Sequence, residues 1–323
     1  MAADPSDTPD RSSAHWSDYW ASGALTSLPQ DFAFNYDGEV QAFWQEQFET
    51  LPDNGRMLDI CTGNGPIPLL AAAWALERNR SVAITAVDAA AIRPGDIARR
   101  RPEVAPLLER IHFLGETPVE SLPFEDDSFD LATSQYGLEY CRLELAAREL
   151  ARVVRPGGRL AVIAHEASSD MIATMADEQR DYRVLESVRF FRVLRSWVKG
   201  QLAEPDFQRR LAGIRDQLHE AFRQSGSALL GQVGQSIDSL LSMTTAELRG
   251  NREAVAGFLG RMEAGRDRLE DMLRVNRCIE ADPQWHQPLA DVGFRLLDTR
   301  ELVYRQRHPM GQCFIWERAR QGA

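Results

Sequence analysis

The stretch Arg56-Met57-Leu58-Asp59-Ile60-Cys61-Thr62-Gly63-Asn64-Gly65 restricts this chain more than any other. Apolar, strand-favouring residues run into a small glycine-rich turn, and a helix-forming run, Pro66 through Arg78, follows at once. A second apolar run, Val82-Ala83-Ile84-Thr85-Ala86-Val87, ends on an acid, Asp88. Strand, glycine turn, helix, strand and acid in that order make a unit suited to a nucleoside. The glycines let the backbone approach closely, the helix N-terminus offers free N–H groups, and the carboxylate can take two ribose hydroxyls.

At 323 residues the chain has room for one large domain with an insertion, or for two domains. A formal net charge of −11 argues against a bulk pull toward nucleic acid or anionic lipid, so neither partner is expected. The four cysteines, Cys61, Cys141, Cys278 and Cys313, have neither metal-ligand nor redox-motif spacing. A reduced, cytoplasmic chain without a metal site is the simplest expectation. Met1 to Ser13 is rich in Asp, Ser and Pro and reads as a frayed tail, not as a signal peptide. No run approaches the ~20 apolar residues of a transmembrane helix.

The pattern then organises the rest. A helix is expected from Asp37 to about residue 51, with Val40, Phe43, Trp44, Gln47 and Phe48 on one face. Strands are expected over about 56–61, 82–88, 111–114, 129–134 and 159–165, with helices over 66–77, from 94 to 101, and over 143–154. Pro156-Gly157-Gly158 reads as a tight turn. This βαβαβ order implies an α/β fold with a doubly wound parallel sheet and right-handed crossovers. Two further β-favouring runs, 294–302 and 310–317, read as an antiparallel pair. Between them and the fifth strand lies a long amphipathic, helical text with acidic and basic residues in equal number. It is too long for a structureless loop. The expected organisation is an N-terminal tail and helical cap (1–55), an α/β core (56–167 and 281–323) and a helical insertion (168–280). The insertion is expected to serve as a lid, an acceptor pocket or a homodimer contact.

A nicotinamide dinucleotide fits poorly, because Pro68 stands where G-x-G-x-x-G needs its third glycine. A phosphate-binding P-loop is absent, since no Gly-Lys-Ser/Thr follows the glycines. Leu58-Asp59-Ile60-Cys61-Thr62-Gly63-Asn64-Gly65 resembles motif I of the class I S-adenosylmethionine (SAM)-dependent methyltransferases. Asp88 matches the family's acid closing the second strand. Ser121-Leu122-Pro123-Phe124-Glu125-Asp126-Asp127-Ser128-Phe129-Asp130 resembles its "LPF…D.SFD" signature, and Arg155-Pro156-Gly157-Gly158-Arg159-Leu160 its "RPGG.L" turn. The resemblance implies a Rossmann-like, mostly parallel seven-stranded sheet with an antiparallel last strand, SAM as cofactor, and a small-molecule acceptor.

Carried over residue by residue, the resemblance implies that Asp59 helps hold the methionine end. Gly63 and Gly65, with Asn64 between them, pass beneath the amino acid and ribose. Asp88 takes the ribose hydroxyls and Ala89 packs on adenine. Ser134 and Gln135 offer carbonyls to the cofactor amine. Cys61 replaces the first glycine of the motif. In Gly115-Glu116-Thr117, Glu116 is the expected contact of the adenine amine, with Glu120 as the alternative.

Groups that align and deprotonate an acceptor belong at the C-terminal ends of the fourth and fifth strands. Tyr136, Glu139, Tyr140, His165 and Glu166 lie there. Of these, His165 is the expected base on its ordinary pKa, with Tyr136 and Glu139 beside it. The N-terminal aromatics Trp16, Tyr19, Trp20, Phe34 and Tyr36 suit either a lid or ordinary packing. Two other readings stay open. A nucleic-acid or protein methyltransferase is disfavoured by Ser134-Gln135-Tyr136-Gly137, where base- and glutamine-methylating relatives carry Asn/Asp-Pro-Pro-Tyr/Phe. A non-catalytic SAM-binding scaffold is the other.

Overall fold

The computed structural model describes residues 12–27, 32, 34–166 and 170–320, so most of the expected tail lies outside the described residues. Helices α1 (Ser12–Ala21) and α2 (Gly38–Phe48) precede β1 (Gly55–Ile60), α3 (Pro66–Glu77) and β2 (Val82–Val87). Next come α4 (Pro94–Arg100), α5 (Ala105–Leu108), β3 (Ile111–Leu114), β4 (Phe129–Gln135), α6 (Leu143–Val153) and β5 (Val154–Ala164). Six helices follow: α7 (Asp170–Ser187), α8 (Phe190–Val198), α9 (Glu204–Ser225), α10 (Ala228–Leu241), α11 (Thr245–Gly250) and α12 (Arg252–Ala281). The chain ends with α13 (Gln287–Asp291), β6 (Phe294–Tyr304) and β7 (His308–Arg318).

The strands form one seven-stranded sheet in the order β3-β2-β1-β4-β5-β7-β6. β1 to β5 pair in parallel, and β7 enters antiparallel between β5 and β6. This is the doubly wound, mostly parallel sheet expected from the sequence. The order reverses at β1: the chain builds outward through β2 and β3, then returns to lay β4 on the other side of β1. Sheets of this kind bind ligands in the crevice beyond the strand ends at such a reversal.

The central strands are apolar on both faces because helices cover both. On one face Leu58, Ile60, Leu160 and Val162 pack with Ala146, Ala147, Leu150 and Val153 of α6. Elsewhere Trp44 and Phe48 of α2 are fully buried, and Phe48 lies 5.8 Å from the ring of Trp74 in α3. Pro66 and Pro68 open α3, where a missing N–H costs no helical bond.

Three details depart from expectation. α2 stops at Phe48, short of residue 51. Asp37, at its N-cap, makes no capping bond; its carboxylate accepts the Tyr304 hydroxyl of β6 instead. Pro156-Gly157-Gly158 is no free-standing turn between helix and strand. Val154 already pairs with Phe129 and Arg159 with Leu131, so the Pro-Gly-Gly segment is a bulge inside β5. Proline tolerates such a place because a looped-out residue need not donate to the ladder.

The described residues divide into two compact units, one within Met1–Asp170 and Arg274–Ala323, the other Met171–Leu273. The second unit is helical and has its own core. Trp197 and Phe207 stack at 4.4 Å, surrounded by Phe190, Leu211, Ile214 and Leu218. Phe222, in line with that stripe, is 40% exposed. Ser227 caps α10, and Thr244 with Glu247 forms a capping box on α11. Among the described residues no helix is long and apolar enough to cross a membrane.

The two sides of α6 give a direct test of where the core lies. Leu150 is fully buried and Leu145 is 37% exposed. Leu150→Ala should cost about 3 kcal/mol through lost burial and a residual cavity, and Leu145→Ala no more than about 0.5 kcal/mol. Urea unfolding of both variants measures the difference; equal losses would contradict the assigned packing.

Candidate cofactor and active site

The chain leaves β1 through a series of left-handed residues: Cys61 at φ 53°, Gly63 at 55° and Gly65 at 87°. Gly63 and Gly65 cannot carry a side chain here. A Cβ on Gly63 would stand 2.5 Å from the Trp20 indole, and one on Gly65 2.7 Å from the Phe113 ring. The backbone N–H of Gly63 donates to Asp88 Oδ2 at 2.7 Å, and that of Ala90 to Oδ1 at 2.8 Å. The carboxylate at the end of β2 therefore bridges the glycine turn and its own loop. Burial pushes the Asp88 carboxyl up to about 6, against the opposing pull of those two N–H groups.

Asp59 sits one strand inward, at 1% exposure. Its Oδ1 accepts the Thr133 hydroxyl at 2.6 Å across the β1–β4 pair. Burial pushes it up to about 7, with the Thr133 hydroxyl opposing. The loops after β2 and β3 meet at Asp88: Thr117 N–H donates to the Asp88 carbonyl at 2.8 Å, and Glu116 N–H to the Ala90 carbonyl at 3.1 Å. Ala89 and Glu116 are exposed. Glu120 accepts the Arg142 N–H at the start of α6.

Cys61, Glu116 and Tyr136, each just past a strand, all hold φ at 53° without being glycine. Such a conformation costs on the order of 1–2 kcal/mol per residue. The same conformation recurs at the opposite edge, at Asn54, Asn79 and Asp127, so it marks the connections at both ends of the sheet.

Beyond β4, the hydroxyl of buried Ser134 accepts the Leu138 N–H at 3.1 Å. Gln135 Oε1 accepts the Trp44 indole N–H at 2.6 Å, and its Nε2 is buried without a partner. The Tyr136 ring stacks on His165 at 4.7 Å and 13°, and its hydroxyl donates to the Met310 carbonyl at 2.6 Å. Glu139 Oε1 accepts the His165 backbone N–H at 2.9 Å, whereas Oε2 is buried and unpartnered. Burial pushes the Glu139 carboxyl up to about 7, with backbone N–H groups opposing. His165 is 3% exposed, and burial pushes its imidazole down to about 4. Its Nε2 pairs with the Tyr140 hydroxyl at 3.0 Å, while Nδ1, like Glu166 Oε2, has no partner.

The N-terminal helix closes over the glycine turn. Asn64, fully buried, donates both amide hydrogens to carbonyls of this segment, Trp20 at 2.9 Å and Ala24 at 2.7 Å. Its Oδ1 accepts the Arg93 N–H at 3.1 Å. Ser17 accepts the Ala91 N–H at 3.0 Å, and Trp16 meets Tyr140 edge-on at 5.8 Å.

The structure thus brings Asp59, Cys61, Gly63, Asn64, Gly65, Asp88, Ala89, Glu116, Thr117, Ser134 and Gln135 to adjacent strand ends. Tyr136, Glu139 and His165 form a second cluster at the exits of β4 and β5. His165 keeps its position, but burial removes the near-neutral pKa that recommended it, and Glu139 acquires that property instead. Thr133, Trp44 and Met310 were missed as partners. Thr133 faces Asp59 in the strand register and follows from pairing the two strands; the Met310 carbonyl leaves no mark on the sequence.

A family model described as a methyltransferase domain matches residues 58–162. The chain is 30% identical over 137 residues to the ubiquinone/menaquinone biosynthesis C-methyltransferase UbiE of Geotalea daltonii, covering 42% of this chain and 56% of that protein. It is 32% identical over 193 residues to the demethylmenaquinone methyltransferase of Mycolicibacterium paratuberculosis, covering 53% of this chain and 75% of that protein. For the first relatives matched, the chain spans about half of their length. A solved structure from Methanococcus maripaludis, described as a "putative S-adenosyl-L-methionine-dependent methyltransferase", aligns over 100% of both chains at a TM-score of 0.43 and 14% identity. On the sequence matches, and with the motif residues gathered as described, the chain belongs to the class I SAM-dependent methyltransferase family.

Proposed function

We propose that this protein binds SAM at the ends of β1, β2 and β3 and transfers its methyl group to a small-molecule acceptor held at the exits of β4 and β5. The observation that carries this reading is the row of buried, unpartnered polar atoms at one strand edge: Gln135 Nε2, Glu139 Oε2 and His165 Nδ1. Buried polar atoms are ordinarily hydrogen-bonded, so unpartnered ones beside a glycine cradle suit a ligand. The cradle itself fits the cofactor. Gly63 and Gly65 put no side chain of their own on the turn, although the Trp20 indole over Gly63 has to move aside, and Asp88 is already positioned by two N–H groups to accept hydroxyls. The surrounding carboxylates, Asp59, Asp88 and Glu139, suit a cationic sulfonium.

Bound SAM would supply an electrophilic methyl group for in-line displacement. The residues of this chain do the rest. Asp88 would hold the sugar, Asp59 would steady the methionine end, and Glu116 would meet the base. Glu139 accepts the acceptor's proton at Oε2, its carboxyl poised near neutrality by burial. His165 stays uncharged and orients the acceptor through Nδ1, its ring fixed between Tyr136 and Tyr140. The N-terminal helix, latched by Asn64, excludes water.

Incubation with methyl-labelled SAM and a metabolite extract, followed by mass spectrometry, should yield a labelled small molecule; SAM binding without any labelled product would favour the scaffold reading. With that acceptor, Glu139→Gln should lower kcat by about 100-fold or more while leaving SAM affinity within about twofold. An unchanged kcat would remove Glu139 from the reaction.

Asp88 makes the affinity depend on pH. An ionised carboxylate accepts both ribose hydroxyls, so the Asp88 contribution to affinity should be full above its raised pKa of about 6 and decline as pH falls through it, approaching about tenfold per unit. The sign for stability is opposite. Folding raises this pKa, so the free protein loses Asp88's contribution as pH rises from the ordinary carboxylate range through 6. Calorimetric SAM titrations between pH 5 and 8 should show the decline in the wild type and lose the step in Asp88→Asn, whose affinity is lower throughout.

A further inference from the structure

Two thiols stand together past the ends of β1 and β4, and the proposed methyl transfer assigns neither sulfur a chemical step. Cys61 is the first residue past β1, and Cys141 follows the helical turn Leu138–Tyr140 past β4. Their Sγ atoms lie 3.6 Å apart although the residues are 80 positions apart in sequence. Both are reduced and partly exposed, whereas Cys278 is on α12 and Cys313 is buried in β7. We propose that Cys61 and Cys141 are a reversible oxidation site: a hydroperoxide converts them to a disulfide that distorts the glycine turn and weakens SAM binding.

The chemistry balances without a further reactant. One thiolate attacks the O–O bond, giving a sulfenic acid and releasing the alcohol, or water from hydrogen peroxide. The second sulfur attacks the sulfenic sulfur, the S–S bond forms, and the hydroxyl leaves as water with the remaining proton. The two sulfurs give up two electrons and the peroxide bond takes them. The hydrogen bond between the Cys61 thiol and Cys141 Sγ, together with burial, pushes the Cys61 thiol up. Either sulfur can attack the peroxide, and the other, 3.6 Å away, then resolves the intermediate. A thiol or dithiol reverses the reaction by exchange.

Geometry supplies the effect on binding. A disulfide requires an S–S distance near 2.05 Å, so the sulfurs must close by about 1.5 Å. Cys61 has little room to yield. Its backbone already holds φ at 53°, and a Cβ on Gly137 would stand only 2.3 Å from the Cys61 Cβ. Two residues on, the Gly63 N–H positions Asp88. On the other side, Cys141 follows Tyr140, whose hydroxyl holds His165. Closing the bond therefore pulls on the turn that holds Asp88 and on the loop that fixes His165.

The binding effect rests on the proposed SAM site; the disulfide itself does not. Reduced full-length protein is treated with hydrogen peroxide, alkylated, and mapped by peptide mass spectrometry, and SAM affinity is measured by calorimetry before and after. The expected result is loss of two hydrogens, a Cys61–Cys141 cross-linked peptide, and an affinity reduced at least tenfold that dithiothreitol restores. Cys141→Ala should bind SAM as the reduced wild type does and keep its affinity after peroxide. Full alkylation of both residues after peroxide, a different pairing, a cross-link without loss of affinity, or the same loss in Cys141→Ala would each overturn the proposal. No SAM binding by the reduced protein would instead overturn the functional reading and, with it, the binding effect, while the peptide map still decides the thiol pair.

Discussion

Carboxylates withdrawn from water govern the C-terminal edge of this sheet. Asp59 and Asp88 are buried and Glu139 is half-buried, none of them ion-paired among the described residues, and each is pushed well above the ordinary carboxylate range. A group in that situation is tolerable only if neighbouring donors meet it. The donors are what fix the local structure: Gly63 and Ala90 N–H groups at Asp88, the Thr133 hydroxyl at Asp59, and the His165 N–H at Glu139. The turn after β1, the loop after β2, the β1–β4 seam and the exit of β5 are thus held through acids. The same acids retain capacity for a ligand, which is why scaffold and site cannot be separated here.

Legibility in the sequence followed the range of the interaction. α3 has the bounds its composition suggests, because Gly65 and the two prolines determine its start locally. β3 is equally local. The reversal at β1 also follows from the alternation of strands and helices, since right-handed crossovers leave few ways to arrange them. β5 was misjudged at its beginning because a Pro-Gly-Gly segment signals a turn whether or not the residue before it has already joined a neighbouring strand. The bulge is a property of the β4–β5 pair, and neither strand carries it alone.

The site shows the same division. The glycine turn and Asp88 announce themselves because backbone conformation and spacing are written in residue type. Partners brought together by tertiary structure do not. Gln135 meets Trp44 across 91 positions, and Tyr136 reaches the Met310 carbonyl across 174. Charge state is similarly hidden. His165 looks like the natural base until burial lowers its pKa to about 4, and Glu139 stands second to it until burial raises its pKa to about 7. Solvent exclusion decides both, and exclusion is set by the whole packed edge.

Trp20 stands directly on the turn that the cofactor motif builds, held there by the two carbonyl bonds from Asn64. Any molecule that comes to lie on that turn has to displace the indole, and to leave it has to displace the indole again. Entry and exit would therefore keep the tempo at which the indole, carried on the ten-residue α1, moves aside. Solvent viscosity and temperature would act on that tempo independently of the reactivity of the groups beneath it.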